Sequence, residues 1–268
     1  MPSGKLAGPG APSASQGAHG SRVPSGKLGA MAPQFTKDGD KALSWVVQAE
    51  AAGLDGVFVY DHVWPMGRPD LPAIWAFTLL GAFASATSEV WLGPLVARVG
   101  LVPDEVLVCE MRTIASLAPG RLVAALGTGD SKSAAELEAF GVPFEPARLR
   151  RERLRSIAIR LLEEGLVDSE RLWVGAGAVE TNEVARALGG MLNLWEVPPD
   201  RVSELSEEWG GRLTWGGSLG IKHGPEQVAR KLGDLWGAGA SWVVCSDAGS
   251  SKGLAVLGES LEFLGGER

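Results

Sequence analysis

A parallel (β/α)8 barrel, an α/β fold with short loops, is predicted for this 268-residue chain by three observations. Eight short apolar runs alternate with helical patterns from residue 27 onward. Their combined span, about 240 residues, matches the usual size of such a barrel. The second run, Val57-Phe58-Val59-Tyr60, ends abruptly in Asp61-His62. Apolar runs of that length between turn residues form strands buried on both faces, and barrels of this kind carry their chemistry at the strands' C-terminal ends.

The elements follow in order. Residues 1–25 are Gly, Pro, Ala and Ser without periodicity, and a disordered tail is expected there. Pro2-Ser3-Gly4-Lys5-Leu6 recurs as Pro24-Ser25-Gly26-Lys27-Leu28, which suggests a duplicated start with the native one near Val23 or Met31. Gly26-Lys27 does not complete a phosphate-binding P-loop, since Ser21 holds the first glycine position and Leu28 replaces the hydroxyl. A single barrel domain is expected over 26–268. Its strands are predicted at 27–32, 56–60, 90–97, 121–126, 171–174, 191–195, 212–215 and 241–245.

Between them, 41–52 has Leu43, Val46 and Val47 at helical spacing and stops at Gly53, a good left-handed terminator. The helix expected over 104–118 has Asp104 as its N-cap, with Val108, Met111, Ile114 and Leu117 on one face. Residues 148–162 place Leu149, Leu154, Ile157 and Leu161 inward and present arginines to solvent. Pro225 opens the helix at 225–235, a favoured first-turn position. An open doubly wound sheet is the competing topology. Its glycine fingerprint is absent, because Lys132 and Glu180 stand where a third glycine would follow Gly127-Thr128-Gly129 and Gly175-Ala176-Gly177.

Composition narrows the function. A net charge of −7, with no basic stripe interleaved with aromatics, argues against nucleic-acid binding. No apolar run reaches the roughly 18 residues of a membrane span, and no signal-peptide core is present. Cys109 and Cys245 sit far apart in apolar runs, which fits two buried thiols in a reducing cytoplasm; no metal-ligand spacing is found. Ten tryptophans accompany a single tyrosine, a ratio that composition does not explain.

Five stretches, in order, carry a family resemblance. They are Ala49-Glu50-Ala51-Ala52-Gly53-Leu54-Asp55-Gly56 running into Tyr60-Asp61-His62; Thr113 to Arg121 leading to Leu126-Gly127-Thr128-Gly129; Phe140-Gly141-Val142-Pro143-Phe144; Leu172-Trp173-Val174-Gly175-Ala176-Gly177; and Gly224-Pro225-Glu226-Gln227-Val228. Together they resemble the luciferase-like superfamily of flavin- and deazaflavin-dependent oxidoreductases and monooxygenases, a (β/α)8 family. The likeness spans roughly residues 26–264.

The resemblance implies FMN or the deazaflavin coenzyme F-420 in the barrel mouth, a small organic substrate, and a homodimer. It assigns Asp61, Val96, Ala97, Gly127, Thr128, Gly129, Gly175, Ala176 and Gly177 to the cofactor, the last three with amides toward its phosphate. Trp64, as a stacking wall, and Arg98, as a holder of phosphate or carboxylate, are the substrate candidates; Trp64 could instead pack a loop, and Arg98 could equally pair with Asp61, Asp104 or Glu105. His62 and Asp130 are implied as the catalytic pair, His62 taking a proton while hydride passes to the cofactor. The alternatives are a histidine merely oriented by its neighbours and an Asp130 that caps the helix at 131–140.

The chain departs from the family in several places. Asp130 stands for the expected Glu and Ser133 for an Asn. Residues 163–170 and 216–224 bridge gaps where relatives carry long insertions. A second reading is therefore a non-catalytic, cofactor-binding barrel that has lost its lids. Gly216-Gly217-Ser218-Leu219-Gly220 fits a hydrolase nucleophile elbow, but the last histidine, His223, precedes the only acid placed to serve it, Asp247. A phosphate-binding loop is the better reading of those glycines.

Overall fold

Strand β1 (Lys27–Met31) leads through α1 (Gly39–Ala51) to β2 (Gly56–Val59) and α2 (Ala76–Ala86) in the computed structural model, which describes residues 26–65 and 67–265. The chain continues as β3 (Trp91–Pro94), β4 (Ala97–Arg98), α3 (Asp104–Leu117), β5 (Ala124–Gly127), α4 (Ala134–Ala139) and α5 (Ala147–Glu163). It ends with β6 (Leu172–Gly175), α6 (Val179–Ala187), β7 (Met191–Trp195), α7 (Pro199–Trp209), β8 (Leu213–Gly217), α8 (Pro225–Gly237), β9 (Ala240–Cys245) and α9 (Ser251–Phe263). The tail expected at 1–25, with the first copy of the repeat, lies outside the described residues.

All pairings are parallel, in the order β3-β2-β1-β9-β8-β7-β6-β5-β4. The two ends of that order are consecutive in the chain. A Leu92–Leu122 bridge joins the β3 end to the residues before β5, so the sheet closes into a barrel. Eight strands were expected; the third is divided at the cis Leu95–Val96 peptide into β3, which pairs with β2, and β4, which pairs with β5.

The core has two layers. Outside the sheet, alternate strand residues such as Leu28, Val57, Leu92 and Val243 meet the helices' apolar faces. Inside, Met31, Phe58, Val123, Trp173, Met191, Trp242 and Val244 fill the barrel. Phe58 stacks on Trp173 at 5.2 Å, Trp242 lies 5.4 Å from Trp173, and Trp91 lies 5.2 Å from Trp242. Lys27 Nζ covers Trp91, 3.7 Å above its ring. This gives the tryptophans a physical role: three of them plug the barrel, because large flat side chains fill its width with few residues.

Local signals behave mostly as expected. Asp38 caps α1 by accepting from the Lys41 amide, and Gly53, with φ of 80°, ends it. The cap of α3 differs from expectation. Pro103 occupies that position and Asp104 is the first helical residue, where its carboxylate accepts from Arg153 at 2.8 Å. The arginines of α5 are likewise less solvated than expected. Arg153 and Arg160 pair with acids of α3 and its surroundings, and Arg150 turns inward.

Candidate active site

The C-terminal ends of the strands gather four ionisable side chains. Asp61 and His62 follow β2, Arg98 ends β4, and Glu136 lies on α4. Asp61, Arg98 and Glu136 are each about 5% exposed or less. Arg98 joins the two carboxylates. Its Nε donates to Asp61 Oδ1 at 2.9 Å, its Nη1 to Glu136 Oε2 at 2.7 Å and its Nη2 to the Asp61 carbonyl at 3.1 Å. The Arg98 backbone N–H also donates to Asp61.

Glu136 accepts two further bonds, from the Val63 amide and from His62 Nδ1 at 2.9 Å. Burial alone would raise the Glu136 carboxyl, but His62, Arg98 and the Val63 N–H together pull it down to about 2. Burial pushes the Asp61 carboxyl up, and Arg98 opposes that rise. Arg98 is itself desolvated, yet its two carboxylates hold it charged, above its ordinary value.

Aromatic rings border this cluster. Phe35 stacks on Tyr60 at 5.5 Å, and Tyr60 lies 6.4 Å from His62 and 6.3 Å from Trp195. Desolvation, with Cys245, Glu196 and Asp247 nearby, pushes the Tyr60 phenol up to about 12, so it stays neutral. Trp64 packs on Phe140 at 5.4 Å. Val96 sits against β5: a Cβ on Gly127 would fall 2.4 Å from Val96 Cγ2, so glycine is required for this close approach.

The expected site residues separate into two groups. Asp61 and His62 meet at the mouth with Arg98, and Val96 meets Gly127 and Gly175. Asp130 does not join His62. It caps the 3-10 turn Ser131–Ser133, accepting from the Lys132 amide, and Glu136 takes the place expected for it. Arg98, expected at the substrate, has Nε, Nη1 and Nη2 committed to Asp61 and Glu136. The Thr128 and Gly129 carbonyls are held by Arg150 Nη1, so α5 braces this turn.

Near β6, the Ala176 amide donates to the Asn193 carbonyl and the Gly177 amide to Asn182 Oδ1. The loop after β8 is not an open phosphate seat. Asp247 accepts from Ser218 Oγ at 2.7 Å and from the Leu219, Gly220 and Ile221 amides at 3.0–3.1 Å. A carboxylate of the chain itself occupies the place of the anion.

Sequence reading missed Glu136, Arg150 and the bridging role of Arg98. A signal for Glu136 did exist: an acid in a short helix just after the Gly-Thr-Gly turn. Nothing local tied it to a residue 74 positions earlier.

A closed parallel barrel with an ionisable cluster and aromatic walls at its strand C-termini has the architecture in which barrel proteins of the enzyme class place their sites. The luciferase-like monooxygenase family model matches residues 19–168, more than half of the chain, and the protein belongs to that family. It is 37% identical over 141 residues to an F420-dependent glucose-6-phosphate dehydrogenase of Kineococcus radiotolerans, covering 52% of this chain and 40% of that protein. The likeness to the enzyme of the same name from Beutenbergia cavernae is 36% over 134 residues, covering 50% and 37%. The chain thus spans about 40% of the length of the curated relatives it matches.

Among solved structures, an F420-dependent secondary alcohol dehydrogenase bound to an F420-acetone adduct aligns with a TM-score of 0.70 at 14% identity, over 89% of this chain and 99% of that one. The coenzyme F420 dependent tetrahydromethanopterin reductase of Methanopyrus kandleri aligns at 0.68 and 15%, with the same coverage. At such identities the likeness concerns the fold.

Proposed function

We propose that this protein is an oxidoreductase that uses coenzyme F-420 or FMN on a small organic substrate. One observation carries the reading: His62 stands at the barrel mouth with Nδ1 bound to a buried, ionised Glu136. Nε2 has no hydrogen-bond partner among the described residues. The names of the curated relatives and the F420-bound structural neighbour support the choice of cofactor.

The residues present fit such a group. Phe35, Tyr60 and Trp195 provide flat apolar walls, and a Cβ at Gly177 would meet nothing closer than 3.9 Å, so the backbone there is open to approach. The Val179 and Glu180 amides at the start of α6 have no acceptor among the described residues and would hold a phosphate; Gly175, Ala176 and Gly177 shape the turn before them. Val96, Ala97, Gly127, Thr128 and Gly129 would line the ring's inner side.

The bound cofactor supplies hydride acceptance or donation. His62 Nε2 takes the hydroxyl proton when the substrate is oxidised and returns it in reduction. Glu136 balances the charge that His62 gains, Arg98 and Asp61 hold Glu136, and Tyr60 and Trp195 keep water from the substrate. Trp64, held by Phe140, lies on the substrate side of His62.

Fluorescence titration with F-420 and with FMN tests this reading. One of the two is expected to bind at low micromolar concentration, weakened at least tenfold by Gly177→Trp. Failure of both at high micromolar concentration would favour a barrel that has lost the chemistry.

We also propose a homodimer formed through α2 and α3. Helix α2 has no charged residue, and its outward face presents Thr78, Gly81, Ala82 and Ser85. Beside it a groove of about 420 Å³ is lined by Phe77, Val106, Cys109 and Ile114 together with Glu105, Glu110 and Thr113, with Val106 and Leu117 exposed. Sedimentation should give twice the chain mass, and Gly81→Arg should give the monomer. A monomeric native protein at 50 µM, about fifty times a typical micromolar Kd, would exclude it. A cytoplasmic setting accords with two free thiols; among the described residues no helix is long and apolar enough to cross a membrane.

A further inference from the structure

We infer that Glu136 is the positioning residue of the site: it fixes His62 as the Nδ1–H tautomer and presents Nε2 to the substrate. The inference rests on the reading of His62 as the proton-transfer residue, and adds to it the tautomer and ring direction that Glu136 imposes.

The hydrogen-bond inventory forces the tautomer. Glu136 Oε2 receives Arg98 Nη1 at 2.7 Å and His62 Nδ1 at 2.9 Å, while Oε1 receives the Val63 amide. An ionised carboxylate only accepts, so the proton between Glu136 and His62 belongs to Nδ1. In neutral imidazole the lone pair then lies on Nε2, the nitrogen without an internal partner. The Val63 bond also ties the chain directly after His62 to α4, which fixes the direction of the ring as well as its proton. Asp61 acts at one remove, since its carboxylate meets Arg98 and so holds the cation that holds Glu136.

The chemistry balances on this arrangement. In alcohol oxidation the substrate O–H bond breaks and its proton goes to Nε2. The carbinol C–H bond would break with its electron pair, and the oxidised deazaflavin or flavin, when bound, would supply the acceptor for that hydride. The carbonyl forms, and His62 becomes an imidazolium whose added charge faces Glu136. The reverse reaction returns the proton from the same nitrogen.

Glu136→Gln separates positioning from bulk structure. A glutamine cannot accept at both former oxygen positions, so its NH2 must face either the Val63 amide or the Arg98 and His62 donors. Histidine-labelled protein is compared by long-range 1H–15N correlation for the native chain, Glu136→Gln, Glu136→Asp and Asp130→Asn. His62→Gln identifies the His62 signals. The native His62 is expected as the Nδ1–H form at high pH, with mixed tautomers in Glu136→Gln and the native pattern in Asp130→Asn. With the bound cofactor and a secondary alcohol that turns over, Glu136→Gln should lower kcat at least about tenfold with KM changed less than threefold, and Glu136→Asp should recover part of it. An Nε2–H tautomer in the native protein, or an unchanged kcat in a folded Glu136→Gln, would overturn the inference. The tautomer measurement needs neither cofactor nor turnover, so failure of the oxidoreductase reading shows separately, as absence of cofactor binding with an intact Nδ1–H signal.

Discussion

Arg98→Ala is expected to destabilise the protein by about 3–5 kcal/mol, the usual cost of leaving buried charges without their partner. The side chain lies between Asp61 and Glu136, both almost fully buried; its Nε and Nη1 compensate the two carboxylates, and its Nη2 satisfies the Asp61 backbone carbonyl. Removing it leaves two carboxylates facing each other across a dry gap. Arg98→Lys should recover only part of the loss, because an ammonium lacks the planar fork that reaches two acids at once. Urea unfolding of the three proteins measures this directly. A loss below 1 kcal/mol for Arg98→Ala would mean that water enters the cluster and that it is not a buried network.

The second large effect concerns the barrel interior. Trp173→Ala should cost about 3–5 kcal/mol, the range for deleting a large buried aromatic. Trp173 is fully buried, stacks on Phe58, touches Trp242 and donates its Nε1–H to the Glu170 carbonyl at 2.8 Å. No helix can move in to fill the vacancy, since the strands stand between. Trp173→Phe keeps most of the packing and loses the hydrogen bond, about 1 kcal/mol. Thermal and urea melts on the three proteins test the ranking. Equal stability of Trp173→Ala and Trp173→Phe would show that the interior relaxes around the hole.

Neither effect is legible in the sequence, although the strand beside both of them is. The run Val57-Phe58-Val59 announces a strand buried on both faces, and β2 is buried throughout. Its polar ending places Asp61 and His62 at the mouth, because in a parallel barrel all strand C-termini share one end. The division of the third strand was not legible. Val90 to Ala97 reads as one apolar run, and only ring closure requires part of it to face β2 and part to face β5.

The partner of His62 was likewise hidden. Asp130 follows the Gly-Thr-Gly turn, but its carboxylate satisfies the Lys132 amide. The 3-10 turn it starts carries the chain on to α4, where Glu136 comes round to the histidine. A cap is a local interaction and competes well with any long-range role, since the chain forms it without loop closure. The same logic applies to the 218–221 loop, where Asp247, far along the chain, fills the anion position suggested by the glycines.

By itself, then, the sequence determined the alternation of strand and helix and the placing of Asp61 and His62 at the end of β2, because periodicity and turn residues are local properties; the luciferase-like family was legible separately, as a resemblance carried by five motif stretches in order. Only the tertiary structure decided that Arg98 is an internal cation, that Glu136 rather than Asp130 meets His62, and that three tryptophans plug the barrel. Those outcomes depend on which side chains, far apart in the chain, share one dry space and must balance charge and volume there.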